Sequence, residues 1–211
     1  MFKHILIIDN FDSFTFNLVD YIEQQGCRVK VYRNDIDVDI ITNLNPDLII
    51  LSPGPSVPKN AGNLLEIIDR YHDKYPIFGV CLGQEALIEY FGGTLKYVTP
   101  CHGKASPMHH DGKTIFSGLK QDFLAGRYHS LVGDQIPGCL EISAKYQGPK
   151  SEGSPCKESG DSKGSPLPMA IRHKKLPIEA VQFHPESVLT MKNDQGMKMM
   201  KNVISKNFTN V

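Results

Sequence analysis

Short apolar runs alternate along this chain with segments whose apolar residues recur at helical spacing. Ile5 to Ile8 is a continuous apolar run, as expected of a strand covered on both faces. From Phe14 to Gln24 the apolar positions Phe14, Leu18, Tyr21 and Ile22 fall at helical spacing, with Asp12 or Ser13 available as cap. Arg28 to Tyr32 and Asp47 to Leu51 read as further strands. A turn, Ser52-Pro53-Gly54-Pro55-Ser56, then leads into a helix over about Ala61 to Tyr71. Pro76 to Val80 predicts a strand, Gly83 to Phe91 a helix, Ile178 to Phe183 a late strand and Met197 to Ile204 a final helix. The stretch between the last two helices is strand-rich and less regular. Strands alternating with helices predict a three-layer α/β fold: a mostly parallel central sheet with helices on both faces.

One segment breaks the pattern. Residues 148–166 hold four Gly, five Ser and three Pro among nineteen positions. Such a stretch buries too little apolar area to offset its ordering entropy, so it is expected to be a flexible surface insertion. Its flanks read as the two arms of a hairpin. The 211 residues are therefore read as a single domain, 1–211, carrying this insertion, with no internal repeats. A chain of that length buries roughly 70% of its unfolded surface, enough for one sizeable core.

Composition narrows the function classes. Twenty-three basic residues balance twenty-three acidic ones, which argues against a nucleic-acid or anionic-membrane partner. No run approaches the ~20 apolar residues that span a bilayer. The first nine residues lack a signal peptide's apolar stretch and cleavage site, so a cytoplasmic location is expected. The five cysteines at 27, 81, 101, 139 and 156 are odd in number and irregularly spaced, which fits a reduced chain better than a disulfide framework.

Three places carry chemistry. The first is Gly79-Val80-Cys81-Leu82-Gly83, a strand running through a sharp turn into a helix. Gly-x-Cys-x-Gly is the thiol form of a nucleophile elbow, with glycines where side chains would clash. The sulfur then sits at a helix N-terminus, whose positive end favours thiolate, and the Leu82 N–H is left for an oxyanion. A structural cysteine between two packing glycines would leave the same letters. The second is Gln182-Phe183-His184-Pro185-Glu186-Ser187. Pro185 holds His184 extended, so Glu186, two residues on, can reach one imidazole nitrogen while the other faces outward. Alone this could be a surface turn; beside the cysteine elbow it supplies a base and its orienter. The third is the turn at Pro53-Gly54-Pro55-Ser56. Pro55 has no N–H, so a second oxyanion donor from this turn is Gly54 or Ser56.

Five motifs occur in order: Ile8-Asp9-Asn10-Phe11-Asp12-Ser13-Phe14-Thr15-Phe16-Asn17-Leu18, Leu51 to Pro55, Gly79 to Gly83, Arg127-Tyr128-His129-Ser130-Leu131, and Gln182 to Ser187. Together they resemble the class I, triad-type glutamine amidotransferases, and within them the small subunits of anthranilate and para-aminobenzoate (aminodeoxychorismate) synthase. The resemblance spans nearly the whole chain. It implies a flavodoxin-like fold and a Cys81–His184–Glu186 triad that hydrolyses L-glutamine to glutamate. Oxyanion donors would be the Gly54 and Leu82 amides, and Ser130 and Leu131 would contact the amino-acid end of glutamine. No cofactor and no metal is implied. The ammonia would pass to a chorismate-using synthase subunit in a hetero-oligomer, with His102-Gly103-Lys104 on or near the facing surface. Anthranilate is the branch favoured, with para-aminobenzoate as the alternative.

The chain departs from the family pattern in three ways. Ser56 stands where glycine is usual in Pro-Gly-Pro-Gly. Gln84-Glu85 replaces the usual His-Gln, placing a carboxylate one helical turn past Cys81, where it would line the pocket and oppose thiolate formation. The 148–166 segment is longer than the usual turn. Ser56 and Glu85 keep open a weakly active or inactive interaction subunit. Other readings are weaker. Asp9 to Asn17 lacks the glycines of a phosphate loop. Cys101, His102, His109 and His110 match no structural zinc spacing. γ-Glutamyl peptide hydrolysis fits the amino-terminal motif poorly.

Overall fold

The computed structural model describes residues 3–148 and 166–205. The expected surface insertion, including Cys156, lies outside the described residues except for its two end positions. The strands are β1 His4–Asp9, β2 Arg28–Arg33, β3 Leu48–Leu51, β4 Ile77–Val80, β5 Leu95–His110, β6 Phe123–Gly133, β7 Leu140–Tyr146, β8 Leu167–His173 and β9 Ile178–Val181. The helices are α1 Thr15–Glu23, α2 Ile40–Leu44, α3 Leu64–Tyr71, α4 Leu82–Tyr90 and α5 Gln195–Ile204.

The sheet runs β2-β1-β3-β4-β9-β8-β7-β5-β6. Its first five strands are mutually parallel. The remaining pairings, from β9–β8 onward, are antiparallel. The parallel half is the one the sequence makes plain; beyond it the pairing is antiparallel, and among the described residues no α-helix lies between β5 and β9, so the whole sheet is mixed. The segment 148–166 joins β7 and β8, which pair antiparallel as the hairpin reading expects.

Side-chain alternation along the central strands divides the core in two. Ile5, Ile7, Leu48, Ile50, Phe78 and Val80 face one layer with Leu18 and Ile22 of α1 and Met199, Met200 and Val203 of α5. Leu6, Ile8, Ile49, Leu51 and Ile77 face the other, with Ile41 of α2, Leu64, Ile67 and Ile68 of α3, and Ala86, Leu87 and Ile88 of α4. Burial of one such side chain is worth about 1.5–3 kcal/mol, and strands covered on both sides read as unbroken apolar runs for this reason.

Element ends differ from the sequence reading for local reasons. The helix expected from Ala61 begins at Leu64, because Gly62 sits at φ +55 against the Asn34 backbone. At α1 the N-cap is Phe14 rather than Asp12 or Ser13, with no side-chain cap bond. Asp12 instead accepts the Phe14 N–H at 2.7 Å, and the Thr15 hydroxyl donates to Asp9 at 2.7 Å.

Candidate active site

The carboxyl ends of adjacent parallel strands converge on one place, the edge where ligands bind in open α/β sheets. β1 delivers Asn10, β3 the turn at 52–56, β4 Cys81, and β9 leads to Gln182, His184 and Glu186.

Cys81 stands between β4 and α4 at φ 53, ψ −104, a conformation that only a surrounding structure can impose. The flanking glycines are required by contact. A Cβ on Gly79 would lie 2.7 Å from the Gly83 carbonyl carbon, and one on Gly83 would lie 2.5 Å from the Leu51 oxygen. As the first residue of α4, Leu82 has its N–H outside the helical ladder. Burial pushes the Cys81 thiol's pKa up; His184 pulls it down, and Glu85 and Glu186 add to the rise.

His184 Nδ1 donates to Glu186 Oε1 at 2.7 Å, with both side chains buried. Its ring packs edge-to-face with Phe14 and Tyr128, at centroid distances of 5.2 and 5.0 Å, and those two rings touch each other at 5.0 Å. Its backbone is tied down as well: the N–H donates to Gly126 O at 2.9 Å, and its carbonyl accepts from the Thr190 hydroxyl at 2.6 Å. The other ring nitrogen, Nε2, is buried with no fully formed hydrogen bond among the described residues, and the Cys81 thiol lies close enough to act on the ring as a hydrogen-bond partner. Burial would lower the imidazole pKa, but Glu186 and Cys81 outweigh it and hold the group well above 6.5.

The 52–56 turn is clamped by Asn10. The Asn10 N–H donates to Ser52 Oγ at 2.9 Å and its side-chain amide donates to Ser52 O at 2.8 Å. A Cβ on Gly54 would sit 2.5 Å from Asn10 Cβ and 2.7 Å from Leu82 Cδ2, so this turn presses against the elbow. Ser56 does adopt a positive φ, +70, where glycine would be unstrained.

A cleft of about 140 Å³ opens over Cys81 and the 54–56 part of this turn. Of the residues singled out from sequence, Gly54, Pro55, Ser56, Cys81, Glu85, Ser130 and Leu131 line it, joined by His102, Tyr128 and His129. Leu82, His184 and Glu186 are buried and do not themselves line it. Gly103, at φ +65 in an irregularity of the β5–β6 ladder, sets His102 at the rim. Cys101 and His110 are buried, with His110 stacked on Phe116 at 4.8 Å. Among the described residues no group of three or more His, Cys, Asp or Glu could hold a metal ion.

Glu85 is bound, not loose. Gln182 Nε2 donates to Glu85 Oε1 at 2.8 Å and lies 3.8 Å from Cys81 Sγ, while Gln84 Nε2 donates to Gln182 Oε1 at 3.3 Å. Burial raises the Glu85 pKa to about 7, against the Gln182 bond that lowers it. Asn10 and Gln182 have roles that motif reading left unassigned. The available signal was an amide residue close after an apolar run, one residue past it in Ile8-Asp9-Asn10 and directly after it in Ala180-Val181-Gln182.

Comparison with known proteins identifies the family. The family model for class I glutamine amidotransferases matches residues 6–206. Anthranilate synthase component 2 of Methanocaldococcus jannaschii is 43% identical, the match covering 98% of each chain. The aminodeoxychorismate/anthranilate synthase component 2 of Bacillus subtilis is 45% identical over 95% of each. A solved structure from Thermoplasma acidophilum, assigned to GMP synthase, superposes with a TM-score of 0.78 at 23% identity, covering 97% of this chain and 93% of that one. That likeness concerns the fold. The chain belongs to the class I glutamine amidotransferase family.

Proposed function

We propose that this chain is the glutaminase subunit of a chorismate-using synthase, with anthranilate as the product branch. The observation that carries the reading is His184, bonded through Nδ1 to Glu186 at 2.7 Å, with its other side within reach of the Cys81 thiol in a strained elbow. Cys81 attacks the side-chain amide carbon of L-glutamine while His184 takes the thiol proton and then protonates the departing ammonia. The Gly54 and Leu82 amides stabilise each oxyanion, a contribution of ~3–4 kcal/mol per donor. Water activated by His184 hydrolyses the thioester to glutamate. Ser130 and Leu131 hold the amino-acid end of the substrate, and no cofactor takes part.

Free ammonia would be protonated and diluted in water, so a synthase subunit docks over the cleft and receives it. Relatives named as component 2 support such a partner. The B. subtilis relative carries both branch names, which favours a second reading in which one subunit serves both synthases. The test is Cys81→Ala in the reconstituted complex. Glutamine-dependent product formation and glutamate release should vanish while ammonia-dependent synthesis persists; retained glutamate release would refute the assignment. Product fluorescence with chorismate, glutamine and each candidate synthase identifies the branch.

A further inference from the structure

Arg127 on β6 heads the fully buried side chains by size, with 1% exposure. Burying a guanidinium costs several kcal/mol unless it is paired, and an ion pair is the usual partner. Among the described residues Arg127 has no carboxylate partner. Its Nε donates to His129 Nε2 at 3.1 Å, its Nη1 reaches Ser106 Oγ at 3.5 Å, and its plane lies 4.5 Å over the Tyr146 ring.

The imidazole of His129 is fixed by these contacts. Arg127 can only donate, so Nε2 accepts; the Leu131 carbonyl, 2.9 Å from Nδ1, can only accept, so Nδ1 carries the proton. Burial, and next the Arg127 charge, push the His129 pKa down to about 3, so the ring is neutral at working pH. The ring bridges a break in the sheet. Tyr97 pairs with Leu131 and Cys101 with His129, so three β5 residues oppose Ser130 alone. No regular ladder holds Ser130 there, yet Ser130 and Leu131 line the cleft beside Cys81.

We propose that Arg127 and His129 are positioning residues that set glutamine affinity. They fix the Ser130–Leu131 segment beside the sheet break and set a buried positive charge directly behind the cleft-lining His129 ring, on the side read as holding the amino-acid end of the ligand, where it favours the α-carboxylate. The inference rests on the glutaminase reading above.

The test uses the complex with its synthase subunit and measures kcat and KM for glutamine separately. His129→Leu removes both hydrogen bonds and should raise KM about tenfold with kcat changed by no more than about twofold. His129→Gln carries one donor and one acceptor in a neutral amide and should recover most of that loss. Arg127→Gln tests the charge independently: the preference for L-glutamine over its α-carboxamide should narrow by about tenfold. A wild-type KM in His129→Leu, or an unchanged preference in Arg127→Gln, overturns the proposal. Should His129→Leu fail to fold, the Arg127→Gln preference and the His129→Gln KM decide it. Glutamate release by Cys81→Ala would instead mark failure of the underlying reading.

Discussion

The Glu186 carboxylate accepts the Nδ1–H of His184 across 2.7 Å, and this contact fixes both the tautomer and the charge of the buried imidazole. Burial alone would lower the His184 pKa; the adjacent carboxylate and Cys81 raise it well above 6.5. The neutral ring is the base, so kcat/KM for glutamine should climb with pH as His184 loses its proton. Glu186→Gln removes the negative charge that favours the imidazolium. The rising limb should therefore move to lower pH, and the plateau should fall by about 10²- to 10⁴-fold. A pH profile whose limb stays in place would show that Glu186 does not govern the charge on His184.

Positions 54 and 56 sit on the same turn and should respond in opposite ways. Ser56 holds φ +70, a strain of about 1–3 kcal/mol, which exceeds the roughly 0.5–1 kcal/mol of chain entropy that glycine adds. Ser56→Gly should thus raise the melting temperature by about 2–4 °C per net kcal/mol. Gly54→Ala would set a Cβ 2.8 Å from the Asn10 carbonyl oxygen, so the turn must move off the elbow. Its glutaminase rate should drop at least about tenfold, with one oxyanion donor displaced. Paired thermal melts and glutamate-release assays check both.

Arg172 joins β8 to β9 by bonding Asp111, Glu141, Thr114 and the wholly buried Glu179. Burial lifts the Glu179 pKa to about 7 even with Arg172 in contact. Arg172→Met leaves Glu179 without its counter-charge, a loss of about 3–5 kcal/mol where the carboxylate must ionise. A carboxyl whose folded pKa is raised favours the native state below its unfolded pKa and weakens it as pH rises through the folded value. The stability gap between wild type and variant should consequently widen from pH 5 to pH 8. Denaturant titrations at the two pH values measure it; an equal gap would mean that Glu179 is not the group left unpaired.

Much of this site is legible in the sequence, for identifiable reasons. Strands buried on both faces appear as unbroken runs such as Ile5–Ile8, and their carboxyl ends are where Cys81 and the 52–56 turn fall. Pro185 restricts His184 locally, so the reach of Glu186 follows from two residues of extended chain. What stayed hidden depends on partners distant in sequence. Asn10 clamps Ser52 from 42 residues away, and Gln182 meets Glu85 across 97. The long β5 strand was equally illegible, since its burial alternates irregularly around a break opposite Ser130. α2, only five residues long with Ile41 as its one buried side chain, has no periodicity to detect.

Glu85 departs from the usual family residue, and its surroundings predict what the change does. It lines the cleft with Cys81 and accepts the Gln182 amide at 2.8 Å. Its pKa of about 7 means that it ionises across the neutral range. Once ionised it raises the Cys81 thiol's pKa, as a like charge must. Glu85→Gln removes that charge while keeping an oxygen that can still accept from Gln182. Cys81 should then react faster with iodoacetamide, by up to about tenfold, the factor that one pKa unit confers. The advantage should be small at pH 6, where Glu85 is mostly protonated, and should grow as pH passes 7. Alkylation rates of the two proteins between pH 6 and 9 test this, with Cys81→Ala correcting for the other cysteines. Equal rates at every pH would mean that Glu85 leaves the nucleophile untouched.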